Sequence, residues 1–184
     1  RSALEQTHRP AQVIVVDDGS SDGTVQALRD AFAGNAVVTV LAQRNAGQLA
    51  AWMTGFRHAT GDIVAFLDSD DLWEPGYLER VVGIYREFPD VDYVCGNMRM
   101  FGARTGLMGR GPSRDLGYSV LLAAFLQRWQ STATSAISLR RPLLERVFAI
   151  PEDMVAEWVS RPDDCLSFGS ELLALPFGLV GAVL

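Results

Sequence analysis

Three carboxylates, Asp68, Asp70 and Asp71, follow directly on the apolar run Ile63-Val64-Ala65-Phe66-Leu67. A run so rich in Ile, Val and Phe suits a strand inside a covered parallel sheet, and ligands of such sheets sit beyond the carboxyl ends of the strands. Carboxylates are costly to desolvate unless a positive group meets them. Two aspartates separated by a single residue can share a divalent cation, and Mg2+ or Mn2+ held by few carboxylates completes its shell with water or phosphate oxygens. The same residues also suit an Asp-rich turn that caps the helix opening at Pro75. A second apolar run, Val13-Ile14-Val15-Val16, ends likewise in Asp17-Asp18 and continues as Gly19-Ser20-Ser21-Asp22-Gly23-Thr24. That loop lacks the alternating acids and terminal Glu of an EF-hand calcium site.

The elements that must hold these carboxylates follow from hydrophobic spacing. Strands are predicted over Val13 to Val16, Val37 to Leu41 and Ile63 to Leu67, and helices over Thr24 to Phe32, Gln48 to Ala59 and from Pro75 onward. Leu49, Trp52, Met53 and Phe56 make one apolar helix face, as do Leu78, Val81, Val82 and Tyr85. Strands alternating with helices imply βαβ units, hence an α/β fold with a mostly parallel sheet covered on both faces. Further on, a strand is expected over Asp92 to Phe101, a long aperiodic loop from Gly102 to Gly117 and a helix over Ser119 to Trp129. An extended segment over Thr134 to Leu139 and helices over Pro142 to Phe148 and Cys165 to Leu175 complete the reading. No repeat or linker divides the chain, so 1–184 reads as a single domain. Ser2 to Thr7 resembles a helix tail and Gly181 to Leu184 a strand start, so the domain reads as truncated at both ends.

At 184 residues with a net charge of -6, the chain suits a soluble globular domain and argues against a broad nucleic-acid-binding face. Cys95 and Cys165 are too few and too distant in sequence for a disulfide framework or a zinc site, which points to a reducing compartment and to roles as small core residues. No apolar run approaches the ~20 residues of a membrane span, so membrane association would be peripheral or through other segments. His8 and His58 have no metal-ligand partners nearby in sequence.

Taken in order, several segments resemble the family 2 glycosyltransferases. They are Leu4-Glu5-Gln6-Thr7, the stretch from Val13 to Thr24, Arg44-Asn45-Ala46-Gly47, and Ala59-Thr60-Gly61-Asp62 running through Asp68-Ser69-Asp70-Asp71 to Pro75. The match is dense from about Leu4 to Glu79 and loose afterwards. The resemblance implies the GT-A fold, a Rossmann-like three-layer sandwich with a mostly parallel central sheet. It further implies an inverting transfer of a sugar from a nucleoside-diphosphate sugar, UDP-linked by family likeness, to an acceptor hydroxyl, with Mn2+ or Mg2+ as cofactor.

In that family the position of Asp18 contacts the nucleotide base, which fits a carboxylate accepting from an imide N-H; Asp17 is expected to support the turn. The resemblance places Arg44 toward the diphosphate and Gly47 where backbone approaches the ligand. Asp68 matches the first carboxylate of an Asp-X-Asp motif, near the ribose or metal, and Asp70 the second, a metal ligand. The general base is expected at Asp164, ahead of Asp163 and of Glu152-Asp153; capping of a helix after Pro162 is the plainer role for Asp163 and Asp164. Gln127-Arg128-Trp129 lacks the spacing of the processive synthases, so a non-processive enzyme is expected. The resemblance leaves the acceptor open among saccharide, lipid-linked and protein acceptors, with no nucleic acid. It suggests cell-envelope polysaccharide biosynthesis in the cytoplasm, at the inner face of the membrane. A non-catalytic nucleotide-sugar-binding domain of the same fold is the alternative, and a nucleotidyltransferase a third reading.

Overall fold

The computed structural model describes residues 1–108, 114–115, 133–149, 165–166 and 180–183. The expected alternation is realised as β1 (Val13–Asp17), α1 (Thr24–Ala31), β2 (Val38–Ala42), α2 (Gln48–His58), β3 (Ile63–Ala65) and α3 (Tyr77–Glu87). There follow β4 (Val91–Cys95), β5 (Met98–Met100), β6 (Gly106–Met108) and β7 (Arg114–Asp115). A 3-10 turn at Thr134–Ala136 then leads into β8 (Ile137–Arg140), α4 (Arg141–Val147) and β9 (Val180–Val183).

Strands β1 and β2 pair in parallel, from Val13 beside Val38 to Asp17 beside Ala42. A five-stranded sheet runs in the order β3-β8-β4-β9-β7. It is parallel at β4–β9, whereas β8 is antiparallel to both its neighbours and β7 to β9. The chain is α/β as expected, but parallel pairing is confined to β1–β2 and β4–β9 among the described strands. Between β4 and β8 the chain runs through β5, β6 and β7, so the two are not the strands of one βαβ unit and the rule that makes βαβ neighbours parallel does not govern them.

Alternation along these strands supplies two cores. Val64, Tyr93, Cys95, Ile137 and Leu139 join Leu49, Trp52 and Phe56 of α2 and Leu143, Leu144 and Val147 of α4. Ile63, Ala65, Val91 and Val94 join Tyr77, Leu78, Val81 and Tyr85 of α3. Three layers result, with α2 and α4 on one face of the sheet and α3 on the other. A register shift between Val91 and Tyr93 explains why these two, though two residues apart, serve opposite cores. Gly55 lets α2 lie close on β1, since a Cβ there would stand 3.2 Å from a methyl of Val16.

Other expectations are corrected by the packing. The single strand expected over Asp92 to Phe101 divides at Gly96-Asn97, where the Gly96 amide donates to the Ala136 carbonyl and the chain leaves the sheet for a separate β5–β6 ribbon. The segment expected to be an aperiodic loop, Gly102 to Gly117, contains β6 and β7. Ser2 to Thr7 forms turns rather than a helix tail. The helix expected over Ser119 to Trp129 lies outside the described residues; of Cys165 to Leu175 only Cys165 and Leu166 are described, both buried. Both cysteines are buried and neither forms a disulfide, and burial pushes the Cys165 thiol up to about 11.

One buried polar arrangement ties α3 to the sheet. The Tyr85 hydroxyl donates to the Ser138 carbonyl at 2.8 Å, and Arg140 donates to the carbonyls of Val91 and Tyr85, each at 2.8 Å. Burial raises the Tyr85 phenol far above its ordinary value, so it stays a donor. Tyr85→Phe is therefore expected to lower unfolding free energy by about 1 kcal/mol, the usual net contribution of one hydrogen bond. Urea unfolding measures this, and an unchanged midpoint would contradict the assignment.

Candidate functional site

The site is built where the parallel strands β1 and β2 end, the side on which a parallel sheet presents ligands. Asp17, the last residue of β1, turns its carboxylate back on its own loop: Oδ2 accepts from the amides of Gly19 at 3.2 Å and Ser20 at 3.0 Å. Ser20, through its hydroxyl and its amide, and then Gly19 hold the Asp17 carboxyl below the ordinary carboxylate range. The turn-forming role expected of Asp17 is thus realised. Asp22 does the same for the start of α1, accepting from the amide and hydroxyl of Thr24, and is held low chiefly by that hydroxyl.

Asp18 points the other way, into the segment that precedes α2. Its Oδ1 accepts from Gln43 Nε2 at 2.7 Å and the Ala46 amide at 2.9 Å, while Oδ2 accepts from the Gly47 amide at 2.8 Å. The two loops are in contact, since a Cβ on Gly19 would stand 2.8 Å from the Asn45 nitrogen. Gly47 has φ 89 and ψ 162, a conformation essentially reserved for glycine. Arg44 and Asn45 are exposed in this loop, and no hydrogen bond or ion pair engages Arg44 among the described residues.

Gln48, the first residue of α2, carries the arrangement to the third loop by donating its amide to Asp68 Oδ1 at 2.8 Å. Asp68 is further held from behind, because its own amide donates to Ser135 Oγ at 2.9 Å. The Ser135 carbonyl accepts from the indole N-H of Trp73 at 2.7 Å, and Trp73 stacks on Tyr77 with ring centroids 4.9 Å apart. Asp70 is exposed. Asp71 does not cap α3, whose N-cap is Gly76 with no side-chain bond; its amide instead closes a turn onto the Asp68 carbonyl at 3.2 Å.

The buried Gln6 fixes the exit from this turn. Its side chain donates to the Glu74 carbonyl at 2.9 Å and accepts from the Leu78 amide at 2.9 Å. Asp18, Gly47 and Asp68 are therefore brought into one hydrogen-bonded set, with Arg44 and Asp70 on its exposed loops. Asp164, Asp163 and Glu152-Asp153 lie outside the described residues; Cys165 and Leu166, which follow Asp164, are buried in the core with Leu49 and Phe66. Sequence reading missed Gln43, Gln48 and Ser135. Only Gln48 had a usable signal, an amide at the first position of a helix that follows a glycine.

Chemically, the loops that meet here carry the acids Asp18, Asp68 and Asp70 and, among the described residues of those loops, one cation, Arg44. A diphosphate would be repelled by Asp18, Asp68 and Asp70 unless positive charge lay between them. Asp68 and Asp70 offer hard oxygen donors, and no group of three His, Cys, Asp or Glu side chains converges among the described residues. That donor set fits Mg2+ or Mn2+ held by one or two carboxylates and completed by phosphate oxygens.

Comparison with known proteins adds the following. The sequence model described as "Glycosyl transferase family 2" matches residues 1–148. A protein of Nostoc sp. named as an uncharacterized glycosyltransferase is 33% identical over 181 residues, 94% of this chain and 54% of that protein. The undecaprenyl-phosphate 4-deoxy-4-formamido-L-arabinose transferase of Aeromonas hydrophila is 42% identical over 100 residues, 53% of this chain and 30% of the relative. The chain thus spans about half the length of the first of these and less of the second. Among solved structures, TarS of S. aureus superposes with a TM-score of 0.71 at 21% identity, covering 100% of this chain and 31% of TarS. The mannosyltransferase PcManGT of Pyrobaculum calidifontis, in complex with GDP-Man and Mn2+, gives 0.58 at 28% identity, covering 82% of this chain and 41% of that one.

The geometry makes two stability predictions. Gly47→Ala should cost about 1–3 kcal/mol in urea unfolding, the usual strain of a side chain in that conformation; a neutral result would contradict the role given to this backbone. Because the folded Asp17 carboxyl is held low, its stabilisation is present above the unfolded value near 3.9 and is lost as pH falls through the folded value. Asp17→Asn should therefore flatten the loss of stability below about pH 4, and an acid profile like that of the wild type would refute it.

Proposed function

The chain belongs to family 2 of the glycosyltransferases, and on that premise we propose that it moves a sugar from a nucleoside-diphosphate sugar to an acceptor in one inverting, non-processive, metal-assisted displacement. The observation that carries this is the linkage from Asp18 through the Gln43–Gly47 segment and Gln48 to Asp68. It gathers two carboxylates at the ends of the strands, which supports reading Asp18 as the base-side and Asp68 as the metal-side acid.

Asp18 would receive the base. A carboxylate has about four lone-pair positions, and three of those on Asp18 accept bonds within the protein. Among the described residues one position, on Oδ2, is left by that count, which suits the single imide N-H of uracil better than the paired donors of guanine. This supports UDP, although the similar mannosyltransferase is named with GDP-Man. Arg44 would face the diphosphate, and Gly47 would let the backbone approach it. Asp68 and Asp70 would hold Mn2+ or Mg2+, with Asp70 the direct ligand. When bound, the cation supplies Lewis-acid stabilisation of the charge that the leaving diphosphate gains.

A hydroxyl acceptor is a poor nucleophile at neutral pH and needs a carboxylate to take its proton as it attacks, the role we give Asp164. The burial of Cys165 and Leu166 in the core with Phe66 supports this choice over Asp153, since Phe66 lies two residues before Asp68. A relative named for undecaprenyl phosphate supports a lipid-linked acceptor, and a phosphate acceptor would bring its own anionic oxygen and relax the demand on Asp164. The reading carries with it a cytoplasmic site of action at a membrane face. Among the described residues no helix is long and apolar enough to cross a membrane.

The test is release of nucleoside diphosphate from UDP- and GDP-sugars, with and without Mn2+. Asp70→Ala is expected to abolish the metal-dependent release, and release that survives the substitution unchanged would count against the mechanism.

A further inference from the structure

Strands β5 and β6 form a ribbon that turns apolar side chains to solvent. Arg99 pairs with Leu107, while Met98 pairs with Met108 and Met100 with Gly106, so Arg99 and Leu107 share one face. Leu107 is 73% exposed, Met108 45%, and Phe101, on the turn leaving β5, 59%. From Met98 to Met108 there are two arginines, Arg99 and Arg104, both exposed, and no acid, on a chain whose net charge is -6. Arg99 Nε stands 3.9 Å from Glu74, which sets the ribbon beside the segment leaving Asp68 to Asp71, where Leu72 is 69% exposed.

Single exposed apolar residues are ordinary, whereas three of them with two cations and no acid on the Met98 to Met108 segment, and Leu72 beside it, are the composition of an interfacial lipid contact. Phe, Leu and Met enter the acyl boundary while the guanidinium groups meet anionic headgroups. A second copy fits less well, since a two-fold contact through this ribbon brings together two surfaces of the same charge sign. We infer that the β5–β6 ribbon, with Leu72, docks the protein on an anionic lipid surface. The consequence for catalysis rests on the function proposed above: docking there brings a lipid-linked acceptor to the loop that carries Asp68 and Asp70. The contact itself needs neither nucleotide nor turnover.

The experiment is co-sedimentation of the protein with vesicles of phosphatidylglycerol and phosphatidylethanolamine, against vesicles of phosphatidylcholine alone, at low and high salt. Binding to the anionic vesicles, weakened by salt, is expected. Arg99→Gln with Arg104→Gln should weaken it roughly 10- to 30-fold, from the usual contribution of a basic residue near an anionic surface. Phe101→Ser with Leu107→Ser should weaken binding to both vesicle types, and all variants should melt like the wild type. A wild-type protein that stays in the supernatant, or variants that sediment as it does, would overturn the inference. So would self-association lost in the Phe101→Ser, Leu107→Ser variant without any vesicle binding. A protein that docks through this ribbon yet releases no nucleoside diphosphate would sink the catalytic reading and leave the lipid contact standing.

Discussion

The Asp18 carboxylate, placed at the end of an apolar strand, accepts three hydrogen bonds from a segment 25 to 29 residues away in sequence. Hydrogen bonds to a charged group contribute about 1.5–3 kcal/mol each, and loss of the donors would leave the charge partly desolvated and unpaired. Much follows from that one constraint. The Gln43–Gly47 segment must come close enough for Gly19 to tolerate only hydrogen in place of a side chain, and Gly47 must take a backbone conformation closed to other residues. Helix α2 then starts where Gln48 reaches Asp68.

The rest of the scaffold holds the far side of this linkage. Ser135 meets the Asp68 amide through its hydroxyl and the Trp73 indole through its carbonyl, and it is itself buried at the entry to β8. Gln6 binds the loop after Trp73 from the chain's beginning, so three distant segments fix one turn. Such support is what a site on loops requires, because loops alone do not hold side chains to catalytic tolerance. The three-layer packing supplies the rigidity beneath: α2 lies on β1 through Gly55 and on the sheet through Trp52, whose ring meets Phe66 at 5.5 Å.

Asp17, Asp18, Asp68 and Asp70 were legible because acids closing apolar strands conflict with burial, and that conflict is visible in composition. The faces of α2 and α3 were legible from their spacing. The partners of Asp18 were not, since hydrogen bonding across 25 or more residues leaves no local trace. The direction of β8 escaped because β5, β6 and β7 intervene between it and β4, and β6 escaped because three residues are too few to show a period; β5 fell within the strand expected over Asp92 to Phe101, whose break at Gly96-Asn97 was not legible. Leu107 read as a loop residue until the pairing set it beside Arg99 on one ribbon.

The most direct measurement is a proton–nitrogen correlation spectrum of the isotope-labelled protein on adding UDP and then a trace of Mn2+, whose paramagnetism broadens nearby amides. If the linkage from Asp18 to Asp68 is a nucleotide and metal site, UDP shifts the amides of Ala46, Gly47 and Gln48, and Mn2+ then broadens those of Asp68 to Asp71 together with them. Broadening that centres elsewhere, or a spectrum indifferent to both additions, would contradict it.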